Sequence, residues 1–180
     1  MNIANNTKVL LAMSVIRLVL AVHILTDNQY TSLSATVKFL IVVVALDALD
    51  CDVPLRVLNL YDDPHFCKTL EYQVTDKLVD SITYTIMVRW VREQNIIPKH
   101  QYNIVSMLLV YRLIGVLVMF VTRQPRVLCY FPNLFEVVLL VFISSHEFKL
   151  SHSVQTVLLV ISMGAKMVQE YFLHYHRVLR

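Results

Sequence analysis

Residues 39–87 read FLIVVVALDALDCDVPLRVLNLYDDPHFCKTLEYQVTDKLVDSITYTIM. An apolar run in this stretch ends in Asp47 and Asp50, and after a polar loop a second run begins with Asp76 and Asp80. Spacings of three and four residues both place a pair of side chains on one face of a helix. Each of two successive helices would therefore present two carboxylates side by side.

Four clustered carboxylates need a neutralising partner. Like charges repel, and the low dielectric beside a membrane strengthens the repulsion, so the group is stable only if it is protonated, well hydrated or bound to a metal ion. Ligands that offer only oxygen select magnesium, manganese or calcium, and no Cys/His pair stands at zinc spacing. The simpler alternative is that the acids mark helix ends at the surface of a membrane.

The composition indicates a membrane protein. The chain has 180 residues, of which 57% are hydrophobic and 16% are charged, and it contains only two glycines. One soluble domain of this size could not bury so much apolar surface, whereas a lipid bilayer would solvate it. The formal net charge of +3 is small, and no basic run is interleaved with aromatic residues, so nucleic acid is not expected as a partner.

Six apolar segments predict an all-α fold, a bundle of six transmembrane helices that forms a single membrane domain over residues 1–180. The segments are Val9–Leu25, Leu33–Leu49, Leu78–Val91, Ile104–Val121, Leu134–Ser144 and Val154–Phe172. Several are shorter than the roughly 20 apolar residues that a full crossing needs. These helices are expected to continue into the polar regions, the third through Asp76 and Asp80, and Thr75 suits the N-cap of that third helix.

Basic residues near the segment ends predict the orientation. With a cytoplasmic N-terminus, eight basic residues fall on the cytoplasmic side: Lys8, Arg56, Lys68, Lys77, Arg123, Arg126, Arg177 and Arg180. Five fall on the other side: Lys38, Arg89, Arg92, Lys99 and Lys149. We therefore expect an integral membrane protein whose N-terminus and aspartate-bearing region face the cytoplasm.

Three further basic residues, Arg17, Arg112 and Lys166, lie within the apolar segments. A charge at that depth is costly and usually faces a polar interior or a partner. Arg17 lies about eight residues into its helix, roughly 12 Å of rise from the end, so it is expected to face the interior rather than to reach the surface. Arg112 and Lys166 fit either a lipid-linked phosphate or a structural partner, such as the aspartates or Glu170.

The cysteines and glycines carry less information. Cys51, Cys67 and Cys129 are odd in number and follow no pattern, so neither a disulfide framework nor a metal cluster is predicted. Gly115 and Gly164 are predicted to be helix-packing positions.

The four acids resemble the signature of the CDP-alcohol phosphatidyltransferases. That signature has the form Asp-x-x-Asp-Gly-x-x-Ala-Arg and, after a short gap, Gly-x-x-x-Asp-x-x-x-Asp, across the second and third membrane helices of the family. Here Asp47-Ala-Leu-Asp50 matches the opening and Asp76-Lys-Leu-Val-Asp80 matches the close. The matching region is residues 47–80.

Other segments are similar to the family as well, so the resemblance covers most of the chain. Residues 9–25 look like the first helix of the family. Residues 122–136, together with Ala165 and Lys166, are most similar to the phosphatidylinositol synthase branch.

The rest of the signature differs. Cys51 and Tyr72 stand at the two glycine positions, Pro54 and Leu55 replace the Ala-Arg pair, and Arg56 comes one place late. A glycine lets a nucleotide approach the backbone closely, so both larger side chains would obstruct it.

The gap between the two halves of the signature is also longer than in the family. An alternative alignment places Phe66-Cys67 over the family's Phe-Gly and makes Glu71 the third acid.

The resemblance implies a reaction in which a phosphatidyl group passes from CDP-diacylglycerol to a small polar alcohol, such as inositol, with release of CMP. It implies a two-metal site for Mg²⁺ or Mn²⁺ on Asp47, Asp50, Asp76 and Asp80, with Asp80 also the catalytic base. The residues expected to bind substrate phosphates are Arg56, Arg17, Arg112 and Lys166. The family further implies a homodimer.

A second hypothesis follows from the departures. The chain would then be a catalytically degraded relative that binds metal or lipid, or that serves as a structural membrane protein.

Overall fold

The structure is a computed structural model, and it describes residues 3–27, 34–49, 60 and 65–172. Within these ranges every regular element is helical, which confirms the all-α prediction. The six α-helices are α1 Ile3–Thr26, α2 Ala35–Leu49, α3 Leu70–Glu93, α4 Lys99–Thr122, α5 Leu134–Glu147 and α6 His152–Tyr171. Short 3-10 helices, Phe66–Lys68 and Pro125–Tyr130, precede α3 and α5. Each predicted segment corresponds to one α-helix.

Three helices of the described part are long and apolar enough to cross a membrane, judged by length and composition. They are Asn5–Thr26, Lys99–Thr122 and Pro125–Glu147, the last of which runs from the second 3-10 helix through α5. Ala35–Leu46 is a shorter apolar helix. Of the six crossings that were predicted, this criterion therefore supports three.

The start of α3 differs from the prediction. The helix begins at Leu70, and Thr75 lies inside it, so the prediction of Thr75 as N-cap is wrong. Thr69 has that role, because its Oγ1 accepts a hydrogen bond of 3.2 Å from the backbone N–H of Tyr72. Thr69 lies nine residues before Leu78, where the predicted apolar segment begins, and the polar turns between them do not show helical periodicity.

The chain forms two compact units, and the prediction of one domain over residues 1–180 remains a prediction. Unit 1 consists of Met1–Leu33 and Val37–Ile86, and unit 2 consists of Ser34–Thr36 and Met87–Arg180. In unit 1, α1 buries one face at helical spacing, with Leu10, Arg17 and Ala21 among its buried residues.

In unit 2, α5 packs against both α4 and α6. It is largely buried, and its buried residues are Phe135, Glu136, Val138, Leu139, Val141, Phe142, Ile143 and Ser145. The face of α4 that carries Val105, Leu109 and Val116 is also buried. In contrast, Glu170 is the one buried residue among the described positions of α6.

Gly115 allows the chain after α4 to pack closely on that helix. A Cβ at this position would overlap the Cβ and Cγ atoms of Phe131, which follows the second 3-10 helix. The ring of Phe131 lies 5.0 Å from that of Tyr111, centroid to centroid. The predicted packing role of Gly115 is therefore confirmed. Around Gly164, by contrast, no described atom lies within 4 Å of an added Cβ.

We predict that Gly115→Ala destabilises the protein by about 1–3 kcal/mol, because the new methyl group must displace the base of the Phe131 side chain. Gly164→Ala is the matched control, since it adds the same methyl group in open space and improves helix propensity. Thermal unfolding of both purified variants in detergent measures the difference. Equal melting temperatures for the two variants would contradict the packing role.

Candidate functional site

The aspartate pair of α3 lies in unit 1, one helical turn apart. Asp76 is buried and Asp80 is next to it on the same face, as the spacing of four residues predicts. Their side chains are 6% and 14% exposed. Two carboxylates this close and this buried repel each other unless cations compensate them.

Arg17 of α1 supplies one of the compensating charges. Its Nη1 donates to Oδ1 of Asp76 at 2.8 Å, and its Nη2 donates to Oδ1 of Asp80 at 2.7 Å. The planar guanidinium suits this task because its two terminal nitrogens point in fixed directions. The predicted interior position of Arg17 is confirmed, since its side chain is 4% exposed.

Lys77 supplies a second charge. Its Nζ lies 2.7 Å from Oδ2 of Asp76 and 3.0 Å from Oδ2 of Asp80. Each carboxylate thus gives one oxygen to Arg17 and the other to Lys77. We call these four residues the Arg17–Lys77 network; together they carry two positive and two negative charges.

Contacts along α1 and α3 follow the same order in both helices, so the two helices run parallel. Thr7 donates to Glu71 at 2.9 Å near the start of both, and Arg17 pairs with Asp76 and Asp80 further along. Two helices that cross a membrane in the same direction are parallel, so this arrangement is compatible with the predicted crossings of α1 and α3. Glu71, the third acid of the alternative alignment, contacts Thr7 ten positions before Arg17.

Tyr72 lies in the apolar core of unit 1. It forms a buried cluster with Leu10 and Phe66, and its ring meets that of Phe66 edge to face at 5.9 Å. Tyr72, which aligns with a glycine of the resembled signature, is thus a buried core residue in this structure.

The cysteine prediction needs a correction. Cys67 is disulfide-bonded, and its partner lies outside the described residues, whereas Cys129 is free. A disulfide needs only two cysteines brought together by the fold, and sequence spacing does not reveal that.

The remaining predicted metal ligands fall outside the described part of the structure. Asp47 lies in α2 but its side chain is not described, and Asp50 and Arg56 are not described at all. Among the described residues, no group of three His, Cys, Asp or Glu side chains is placed to hold a metal ion. The four-aspartate site therefore stays a prediction.

The two aspartates that are described fit a shared cation. The ammonium nitrogen of Lys77 is within 3.0 Å of an oxygen from each. Hard divalent ions prefer carboxylate oxygens as ligands, so Asp76 and Asp80 could hold such an ion.

Unit 2 contains a second network, built from Arg112 of α4, Glu136 of α5 and two residues of α6, Lys166 and Glu170. Lys166 lies 3.2 Å from Glu136 and 3.9 Å from Glu170, and Arg112 lies 3.6 Å from Glu170. Arg112 also donates to the backbone carbonyl of Phe131. Two roles were predicted for Arg112 and Lys166. The structure shows both residues as ion-pair partners of acids on neighbouring helices, and binding of substrate phosphates by either residue stays a prediction.

Sequence reasoning missed Lys77 and Glu136. Lys77 is three residues before Asp80, and that spacing on a helix predicts an ion pair. Glu136 opens the apolar run of α5, where a buried acid indicates a basic partner on another helix. The tertiary fold determines which helix provides this partner. Spacing in the sequence could therefore not identify Lys166 as the partner of Glu136.

No protein-family model, no curated protein and no solved structure matches the chain.

We predict that Arg17→Met destabilises the protein by about 3–5 kcal/mol, because it leaves two buried carboxylates with too little positive charge. Replacing both Asp76 and Asp80 by Asn in the same chain should restore most of the loss. Thermal unfolding in detergent, followed by the fluorescence of the single tryptophan, Trp90, measures these changes.

Arg89→Met is the matched control. Arg89 pairs with Glu93 at 2.7 Å on the same helix, but both side chains are exposed, so its loss should leave the melting temperature unchanged. If Arg17→Met were as mild as Arg89→Met, the Arg17–Lys77 network would not hold α1 and α3 together.

Proposed function

We propose that this chain is an integral membrane enzyme that transfers a phosphatidyl group from CDP-diacylglycerol to a small polar alcohol, with release of CMP. The observation that carries the proposal is the pairing of Asp76 and Asp80, whose oxygens share one bridging cation, the ammonium of Lys77. These are the acids that match the second half of the phosphatidyltransferase signature. Inositol is the acceptor that the branch resemblance favours.

In this proposal the metal ligands are Asp47, Asp50, Asp76 and Asp80, and the ions are Mg²⁺ or Mn²⁺. When bound, such ions stabilise the negative charge that develops on the CMP leaving group. Asp80 accepts the proton of the acceptor hydroxyl. The hydroxyl oxygen then bonds to the phosphorus that carries the diacylglycerol, and the bond from that phosphorus to the oxygen of CMP breaks.

Arg17 has a positioning role here. It holds one oxygen of Asp76 and one of Asp80 from a neighbouring helix, while the other oxygen of each faces the Lys77 ammonium. Phosphate contacts by Arg56, Arg17, Arg112 and Lys166 and a homodimer are not needed for this step, and they stay expectations.

The membrane setting is part of the proposal. On α4, Met107, Leu117 and Val121 are 72%, 61% and 78% exposed, and on α6 Val160 and Ile161 are 68% and 64% exposed. Apolar surface of this kind is costly in water and is covered at no cost by lipid. We extend the three apolar crossings to six, in which the buried charges of α3 and α6 stay in ionic networks away from lipid.

The second candidate function is that of a catalytically degraded relative. The observation in its favour is that Arg17 and Lys77 lie within hydrogen-bonding distance of Asp76 and Asp80 and balance their charges. Such a protein would keep the bundle and its ionic network as structural features.

A release assay separates the two functions. We predict that the purified protein releases CMP from CDP-diacylglycerol in the presence of Mn²⁺ or Mg²⁺ and one of inositol, serine or glycerol phosphate. Asp80→Asn should reduce the rate by about 10²-fold or more, because it removes the base. Asp27→Asn, at the end of α1, is the matched control and should leave the rate unchanged.

The melting temperature of Asp80→Asn must remain close to that of the unsubstituted protein for the loss of activity to count. Absence of CMP release with every acceptor and both metals would favour the degraded relative.

Orientation is testable with two introduced cysteines. The basic residues place Gln94, after α3, outside the cytoplasm and Gln124, after α4, inside it. The disulfide at Cys67 favours the reverse, because disulfides persist mainly in oxidising compartments. We predict that a membrane-impermeant maleimide labels Gln94→Cys on intact cells and labels Gln124→Cys only after permeabilisation.

Both variants should be made with Cys129→Ser, which alone gives the background labelling. The opposite labelling pattern would reverse the orientation. Labelling of both positions from one side would show that α4 does not cross.

A further inference from the structure

Lys77 is the most exposed member of the Arg17–Lys77 network. Its side chain is 20% exposed, against 14% for Asp80, 6% for Asp76 and 4% for Arg17. The network therefore has a buried side, which Arg17 occupies, and a side nearer to solvent, which Lys77 occupies.

The position of the Lys77 ammonium is that of a bridging ion. Its nitrogen lies between Oδ2 of Asp76 and Oδ2 of Asp80, at 2.7 and 3.0 Å. A divalent ion needs the same two oxygens at somewhat shorter distances. The ammonium and the ion cannot both occupy this position, because both are cations and both need the same oxygens.

The two basic residues differ in how easily they can leave. Arg17 comes from α1, is buried, and donates from two nitrogens of one rigid plane, so moving it would break two hydrogen bonds and disturb the packing of the helices. Lys77 lies on α3 beside its partners and has a flexible stem. Rotation of that stem carries its charge into water without moving a helix.

We propose that Lys77 is an internal counter-cation, which bridges Asp76 and Asp80 in the metal-free protein and is displaced when a divalent ion binds there. This inference rests on the proposed function, because it takes these aspartates to be metal ligands. It explains how two adjacent acids stay paired in an apolar helix bundle before the metal arrives. It also predicts that Lys77 weakens metal binding.

The test is direct measurement of Mn²⁺ binding to the purified protein in detergent, from the electron paramagnetic resonance signal of free Mn²⁺, with no nucleotide or lipid substrate present. We predict that Lys77→Met lowers the apparent Kd for Mn²⁺ by about tenfold or more, since a neighbouring charge changes the affinity of a carboxylate for a cation by that order. Lys77→Arg keeps the charge and should bind Mn²⁺ within about twofold of the unsubstituted protein.

Two further variants serve as controls. Lys99→Met removes the same charge from an exposed position at the start of α4 and should leave the Kd unchanged. Asp76→Asn in the Lys77→Met chain should abolish the gain, which would place the tighter binding at the aspartate pair.

A measurement on the unsubstituted protein covers the case in which Lys77→Met does not fold. Mass spectrometry after brief acetylation reports the reactivity of each lysine, and Mn²⁺ should raise the reactivity of Lys77 several-fold while leaving Lys99 unchanged. Unchanged reactivity of Lys77 at saturating Mn²⁺ would overturn the proposal.

The outcomes also separate this inference from the proposed function. If the unsubstituted protein and Lys77→Met bind Mn²⁺ equally, Lys77 is not a competitor, and the transferase proposal still stands. If Lys77→Met binds more tightly but CMP is never released, the counter-cation is supported and the transferase fails. If no variant binds Mn²⁺, both fail.

Discussion

The contact between Arg17 and the two carboxylates of α3 is the constraint on which unit 1 depends. A guanidinium, two carboxylates and an ammonium are held largely buried on α1 and α3, where an uncompensated charge costs several kcal/mol. Arg17 meets Asp76 and Asp80 at hydrogen-bonding distance only in one register of α1 against α3. The ionic contact therefore fixes the register and direction of two helices whose apolar faces alone would allow others.

Unit 2 also compensates buried charges by ion pairing, with different residues. Its ionic network also combines two acids with two basic residues, and it joins α4, α5 and α6. There the basic residue Arg112 also binds the carbonyl of Phe131, so the network holds the connection between α4 and α5 as well as the helices. Charged residues are tolerated in an apolar bundle when their charges cancel in pairs. Each charged group then contacts its partner rather than lipid.

Sequence reasoning was strongest where the signal is local. Apolar runs located all six helices, and the spacing of Asp76 and Asp80 placed them on one face, as the structure has them. The position of Arg17 deep in an apolar run correctly indicated an interior partner. The partners themselves, the cap at Thr69 and the disulfide at Cys67 depend on the arrangement of the chain in space, which spacing does not determine. Six crossings were predicted and the criterion of length and apolar composition supports three, because α2 is short and α3 and α6 contain polar and charged residues.

The energetics of buried ion pairs bear on what the Arg17–Lys77 network is for. Paired charges in an apolar interior bring little net stability over well-packed apolar side chains, so stability alone is a weak reason to place four of them together. Pairing of Arg17 with a single acid would be enough to fix the register of α1 against α3. A second acid and a partly exposed lysine exceed that need, and the lysine places one cation at an oxygen of each acid. Under the proposal that Asp76 and Asp80 hold a metal ion, the second acid and the lysine have a role that fixing the register does not give them.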